Sequence, residues 1–178
     1  STLDKARDRA RVLGHPIGAL YPWRTINGEE ASTYFPLGTA QYHINADVAY
    51  AFQLYVAVTN DIDYLANKAA EVLCETARVW ADVGCYCICS VTGPDEYNAI
   101  VDNNFYTNLM AQQNLYAAVN ALETLKEQRP DAYQKLIKKI QLDPDEPALW
   151  KKTADAMYFA YDEKRQGYLQ DDGFMLRK

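Results

Sequence analysis

Residues 91–108 read VTGPDEYNAIVDNNFYTN. The stretch leaves a short apolar run, breaks at Gly93-Pro94, and then passes through two adjacent carboxylates and four asparagines. Gly-Pro interrupts regular structure, so what lies on either side decides the fold. Downstream, helical spacing runs from about Asn104 to Glu127, with Phe105, Leu109, Tyr116, Val119 and Leu122 recurring at steps of three, four and seven. Upstream, CYCICSV (85–91) alternates thiols with bulky residues, and a short strand is expected near 86–91. Before it, residues 61–83 are helical, with Tyr64, Ala69, Val72, Leu73, Thr76 and Val79–Trp80 on the inner side.

Further out the pattern repeats. Residues 46–60 form a helix with Val48, Phe52, Tyr55 and Val56 on one face, and Asn45 stands where an N-cap belongs. Residues 2–13 form a charged helix that ends at Gly14 and Pro16. Pro130 ends the long helix; residues 131–139 make a short amphipathic one, and 147–161 a last one with proline in its first turn. The tail, DEKRQGYLQDDGF, reads as loop or short strand. The expected fold is therefore all-α, an array of helical hairpins forming one unit over 1–178. Its two polar, aromatic loops, 14–45 and 84–104, can lie at one end of the array. No Gly-rich phosphate loop is present.

Composition narrows the function. With 178 residues the chain can bury a real core. A net charge of −6 offers no basic stripe, so nucleic acid and anionic membrane surfaces are not expected partners. Cys85, Cys87 and Cys89 lack the spacing of a zinc site, and with two histidines in the chain no metal is expected. Free thiols suit a reducing compartment, which points to the cytoplasm. Fourteen tyrosines against five phenylalanines suit both sugar clefts and half-buried helix faces. The open Ser1 and the abrupt end at FMLRK suggest a piece of a longer protein.

The chemistry available is that of carboxylates. Asp95-Glu96 follows a tight turn, where a carboxyl group can be held at a cleft mouth and act as a general acid if burial raises its pKa. Protonation of a glycosidic oxygen needs such a group. The simpler reading is that one of the two carboxylates caps the following segment. In the first loop, Trp23 can stack on a sugar ring, and Arg24, Glu29 and Glu30 can hold hydroxyls, or form a surface ion pair worth little. His43 and Asn45 precede a helix, and structural roles are open for both.

Taken together, YPWRTINGEE, GTAQYHINADVAYA, VTGPDEYNAIVDNNFYTNLMAQQN, WKKTADAMYFAYDE and QDDGFM resemble the core motifs of glycoside hydrolase family 65. That family holds maltose, kojibiose, nigerose and trehalose phosphorylases. The resemblance implies an (α/α)6 barrel and reversible, inverting phosphorolysis of an α-glucoside to β-glucose 1-phosphate, with inorganic phosphate as co-substrate and no cofactor. It implies Glu96 as the catalytic acid and a substrate site formed by Trp23, Arg24, Asn45, His43, Glu30 and Asp95. Arg24-Thr25 points to a maltose or kojibiose type.

The chain departs from the family pattern. Cys89-Ser90 stands where Asn-Gly is expected, and the link from the Trp80 helix is short. An upstream Trp-Asp motif, a downstream Lys-Gln pair and a His-containing phosphate site are absent. About six of twelve barrel helices are present. The expected consequences are exposed helix faces, homo-oligomerisation or self-association through them, and an isolated chain with little or no activity. Two other functions fit the residues: an inverting α-glycoside hydrolase with a second carboxylate such as Glu30, and a non-catalytic barrel fragment.

Overall fold

The computed structural model describes residues 2–32, 36–83, 87–95 and 97–177. The expected acid Glu96 lies outside the described residues, as do Cys85 and Tyr86 of the expected strand. The chain is mostly helical. α1 spans Thr2–Val12, α2 His43–Thr59, α3 Ile62–Tyr64, α4 Ala70–Val83, α5 Phe105–Gln128, α6 Pro130–Lys139 and α7 Glu146–Asp155. A π turn, Leu65–Ala69, joins α3 to α4 without a break. Two small antiparallel hairpins complete the fold, β1 (Thr25–Ile26) with β2 (Glu29–Glu30) and β3 (Tyr161–Asp162) with β4 (Gly167–Tyr168).

The helix ends follow from local chemistry. Asn60 closes α2 in the left-handed conformation, φ 51°, its N–H donating to Val56 O. Asp61 then caps α3 by accepting from Tyr64 N at 2.8 Å. Asn104 caps α5 by accepting from Thr107 N at 3.0 Å. Pro130 opens α6, where no N–H is missed.

α5 is the central helix and packs against α2, α4 and α7. Ala111 and Ala118 of α5 and Ala70 and Ala77 of α4 are fully buried in the same cluster, small residues where the two helices pack. Trp80, Leu73, Leu115, Leu125 and Trp150 fill the space between them and are fully or almost fully buried. Each such side chain contributes about 1.5–3 kcal/mol of burial. The Trp80 indole donates to Asn114 Oδ1 at 2.9 Å, so the polar atom in this apolar layer has a partner. α1 and the segment after it close over α4. Gly18, at φ 91°, lets the chain pass so near that a Cβ there would lie 2.9 Å from Glu75 O. Ion pairs then tie four elements together: Arg7 to Glu71 and Glu75, Arg78 to Glu75 and Glu146, and Lys139 to Glu71.

Four expectations change. No strand forms at 87–91; Val91 makes one isolated bridge to Val101. The segment beside it turns at once into α5, so no extended neighbour is there to pair with. Cys87 and Cys89 are exposed while Ile88 is buried, so the alternation is real without the strand. Second, α2 begins at His43, placing Asn45 inside the helix and not at its cap. Third, Tyr55 is exposed on α2 and leans on Tyr64, with ring centroids 4.5 Å apart. Fourth, α7 stops at Asp155, short of the expected 161. Beyond it the backbone is held by tertiary partners: Tyr158 O accepts from Asn108 Nδ2 at 2.8 Å, and Ala160 O from Leu169 N at 2.9 Å.

α2 also presents an apolar stripe outward. Tyr50, Leu54 and Val58, one turn apart, are 49%, 46% and 77% exposed. Among the described residues no helix is long and apolar enough to cross a membrane.

Candidate active site

The loop between α4 and α5 is built from amide side chains. The Val91–Val101 bridge, with N–H···O distances of 3.0 and 2.8 Å, draws its two limbs together. Asn103 Oδ1 accepts from Ile88 N at 3.2 Å, and Asp102 Oδ1 from Ser90 N at 2.8 Å. Three non-glycine residues take left-handed backbone here: Ser90 (φ 57°), Ile100 (55°) and Asn103 (54°). That conformation is unfavourable for L-residues, most of all a β-branched one, and persists where tertiary contacts impose it. Gly93 is needed for space, since a Cβ would sit 2.4 Å from Asn104 Nδ2. Thr92 N donates to Ala40 O at 3.0 Å, which joins this loop to the turn leading into α2.

Asp95 sits at the tip. Its Oδ1 accepts from Asn98 N at 3.2 Å and its Oδ2 from Asn98 Nδ2 at 2.8 Å; Gln170 Nε2 also donates to Oδ2. Burial pushes this carboxyl upward, but the hydrogen bonds from Gln170 and Asn98 outweigh it and hold its pKa below the usual carboxylate range. Asp95 is thus an ionised turn-former with both oxygens engaged.

The segment 168–174 runs along the same loop. Phe105 N donates to Gln170 O at 2.8 Å, Asn103 Nδ2 to Asp172 Oδ2 at 2.6 Å, and Asp172 N to Asp102 O at 3.2 Å. Between loop and segment lies an open cleft of about 710 Å³, lined by Pro94, Asp95, Phe105, Tyr106, Tyr168 and Phe174 among others. Phe105 and Tyr168 stand 5.2 Å apart, centroid to centroid. An apolar aromatic wall with a few fixed polar groups can hold a sugar ring.

The expected site residues fall into separate groups. His43 is buried, edge-on to Tyr106 at 5.7 Å, with Nε2 4.0 Å from Asp47 Oδ2. Tyr106 donates its hydroxyl to Asp47 Oδ1 at 2.8 Å; desolvation and that bond push the phenol up to about 12. Trp23 and Arg24 form a cation–π pair, the guanidinium 4.5 Å from the ring centroid. Glu30 pairs with Arg9 at 3.1 Å and accepts from Ser32 Oγ. Asn45 is fully buried: its Oδ1 accepts from Tyr21 N at 3.0 Å and its Nδ2 donates to Thr76 O at 3.5 Å. Those bonds fasten the first loop to α2 and α4. Among the described residues no group of three His, Cys, Asp or Glu side chains is arranged to hold a metal.

Sequence reading passed over Gln170, Asp47 and the Phe105–Tyr168 wall. QDDGFM stood out among the motifs that carry the family resemblance, but nothing local points it at a loop 75 residues away.

The model of the glycosyl hydrolase family 65 central catalytic domain matches residues 1–178. The chain belongs to that family. A family 65 protein named alpha,alpha-trehalose phosphorylase, from Thermoanaerobacter brockii, is 52% identical over 99% of this chain and 24% of its own length. One named kojibiose phosphorylase, from Halothermothrix orenii, is 39% identical over 98% of this chain and 25% of its own length. A solved protein from the human microbiome, provisionally named a kojibiose phosphorylase, superposes with a TM-score of 0.85 at 28% identity, over 98% of this chain and 26% of that one. The chain therefore spans about a quarter of the length of the family 65 relatives it matches.

Proposed function

We propose that this chain is part of the catalytic domain of an inverting disaccharide phosphorylase, with Glu96 as the general acid. What supports the reading is the GPDEY motif, whose resemblance to family 65 puts the acid at Glu96; beside it, Asp95 is held by hydrogen bonds from Asn98 and Gln170. In this reaction a phosphate oxygen attacks C1 of the glucosyl unit from the face opposite the glycosidic oxygen. The C1–O bond breaks, Glu96 gives its proton to the departing sugar oxygen, and β-glucose 1-phosphate forms. The phosphate arrives already nucleophilic, so no second carboxylate is required, in contrast to inverting hydrolysis. The hydrolase alternative looked to Glu30, which is engaged by Arg9 and Ser32.

Trp23 and Arg24 form the stacking and charged part of the sugar site, with His43 behind Tyr106. Asn45 and Glu30 hold the surrounding chain. Arg24-Thr25 favoured maltose or kojibiose; the identity of 52% to a trehalose phosphorylase against 39% to a kojibiose phosphorylase moves the first choice to α,α-trehalose. The full protein closes an (α/α)6 barrel, and the α2 stripe at Tyr50, Leu54 and Val58 is a face that its remaining helices would cover. Alone, the chain self-associates and is inactive or nearly so. Exposed thiols at Cys87 and Cys89 fit a cytoplasmic setting.

The test is phosphate-dependent release of glucose 1-phosphate by the full-length protein, offered trehalose, kojibiose, maltose and nigerose. Activity that requires phosphate and falls about 10²–10⁴-fold in kcat in Glu96→Gln is expected. Equal cleavage without phosphate would make it a hydrolase. Sugar binding without turnover would make it a non-catalytic barrel.

A further inference from the structure

We propose that Gln170 is a positioning residue for this reaction: the 168–174 segment is a latch that sets the aim of the acid loop through the Gln170–Asp95 bond. The inference rests on Glu96 being the acid. Gln170 reaches the loop at both ends of its residue. Its side-chain amide donates to Asp95 Oδ2, and its carbonyl accepts from Phe105 N at 2.8 Å and Asn104 Nδ2 at 3.4 Å. One residue therefore joins the position before Glu96 to the first turn of α5. Two residues on, Asp172 holds Asn103 at 2.6 Å and Asp102 O at 3.2 Å, so the latch grips the loop's other limb.

The latch is itself anchored. Asp171, fully buried, accepts from Arg177 and from Gly173 N at 2.9 Å. Leu169 N bonds Ala160 O at 2.9 Å, and the β3–β4 hairpin fixes the approach to it. Asn98 also holds Asp95, through its N–H and its side-chain amide, but it belongs to the same loop three residues on, whereas Gln170 comes from across the fold. Gln170 is the group that refers the loop tip to the helical body.

A proton donor works only where its O–H reaches the departing oxygen, and a shift of about 1 Å can lower the rate about 10²-fold. Gln170 also lines the cleft, and the role proposed for it is to position the loop and not to transfer the proton, so kcat and KM are read separately. Its loss would lower the step that uses the acid and leave binding in place.

The test uses the full-length protein, a disaccharide substrate, and α-glucosyl fluoride with phosphate. Fluoride leaves without a proton, so that reaction omits the acid. Gln170→Ala is expected to lower kcat on the disaccharide about 10–100-fold with KM within about twofold, and to keep the fluoride rate within about threefold. The paired change Asp95→Asn with Gln170→Glu restores one N–H···O bond in reverse polarity and is expected to recover most of what each single change loses. Equal loss on both substrates, no loss on either, or no recovery in the pair would overturn the proposal. Glu96→Gln is the separate control. If that variant keeps full disaccharide activity, the acid assignment itself fails, whatever Gln170 does.

Discussion

Two polar segments of this chain, the 87–105 loop and the β1–β2 hairpin, are fixed by different means. The 87–105 loop is held by side-chain hydrogen bonds: Asn98 and Gln170 on the Asp95 carboxylate, Asn103 on Ile88 and Asp172, and Asn104 on Thr107. The β1–β2 hairpin is held by charge, with Lys5–Glu29 at 3.0 Å and Arg9–Glu30 at 3.1 Å, both reaching from α1. These hydrogen bonds are directional, and several of them converge on each group, so the first arrangement has one geometry. An exposed ion pair such as Lys5–Glu29 is loosely directional and screened by salt. The difference suits the proposed function, in which the loop beside the acid must hold one position and no such demand falls on the hairpin.

The strongest way to break this comparison is at Gly93. In Gly93→Ala the new Cβ would meet Asn104 Nδ2 at 2.4 Å and Cγ at 2.9 Å. Asn104 cannot swing aside freely, because its Oδ1 holds both Thr107 N and Thr107 Oγ1 at 3.0 Å. The expected cost is about 2–3 kcal/mol, from overpacking and partial loss of the α5 cap. Urea unfolding measures it. A cost under about 0.5 kcal/mol would mean that the asparagine yields, and that the loop is no stiffer than the hairpin.

A smaller effect of opposite sign is expected at Ser90. The residue takes φ 57° and uses its N–H, not its side chain, to hold Asp102 at 2.8 Å. The resemblance drawn from sequence places glycine at this position, and the backbone explains why. Ser90→Gly removes the left-handed strain and keeps the bond, so a gain of about 0.5–1 kcal/mol is expected, seen as a rise in Tm. Destabilisation instead would show that the serine hydroxyl has a role in the loop.

How much of this was legible in the sequence depends on how far each residue's partner lies. The helices followed from spacing within a few residues, and Ala69, Val72, Leu73, Thr76, Val79 and Trp80 are buried as expected; Tyr64 is only half-buried, and α4 is buried on every face from Val72 to Trp80, Glu75 and Arg78 included, which its period does not encode. Asn45 was read as a cap because an asparagine before an apolar run usually is one. Its actual partner, Tyr21 N, is 24 residues back, and no local pattern encodes that. CYCICSV alternates like a strand, but a strand needs an extended neighbour, and the chain beside it turns into α5. The 87–105 loop was conspicuous for its carboxylates and asparagines. What each asparagine does was not, since the partners include Tyr158 O and Asp172, brought there by the fold.

The smallest expected effect tests the hairpin. Lys5 is 38% exposed and Glu29 74%, so their pair is solvated on most sides. Lys5→Ala should cost under about 0.5 kcal/mol at low ionic strength, and less as salt screens the pair. Arg9 is different: its side chain is 12% exposed, and beyond Glu30 it donates to Leu20, Tyr21 and Thr39 carbonyls. The useful measurement is therefore the salt dependence of unfolding in Lys5→Ala against the parent chain. If the difference vanishes by about 1 M salt, where the screening length is about 3 Å, Lys5–Glu29 acts only as charge. If it persists, Lys5 is acting through its methylenes, which lie against Gly28, where a Cβ would meet Lys5 Cδ at 3.2 Å. The hairpin would then be seated on α1 by packing, and the contrast with the amide-held loop would narrow to one of solvent exposure.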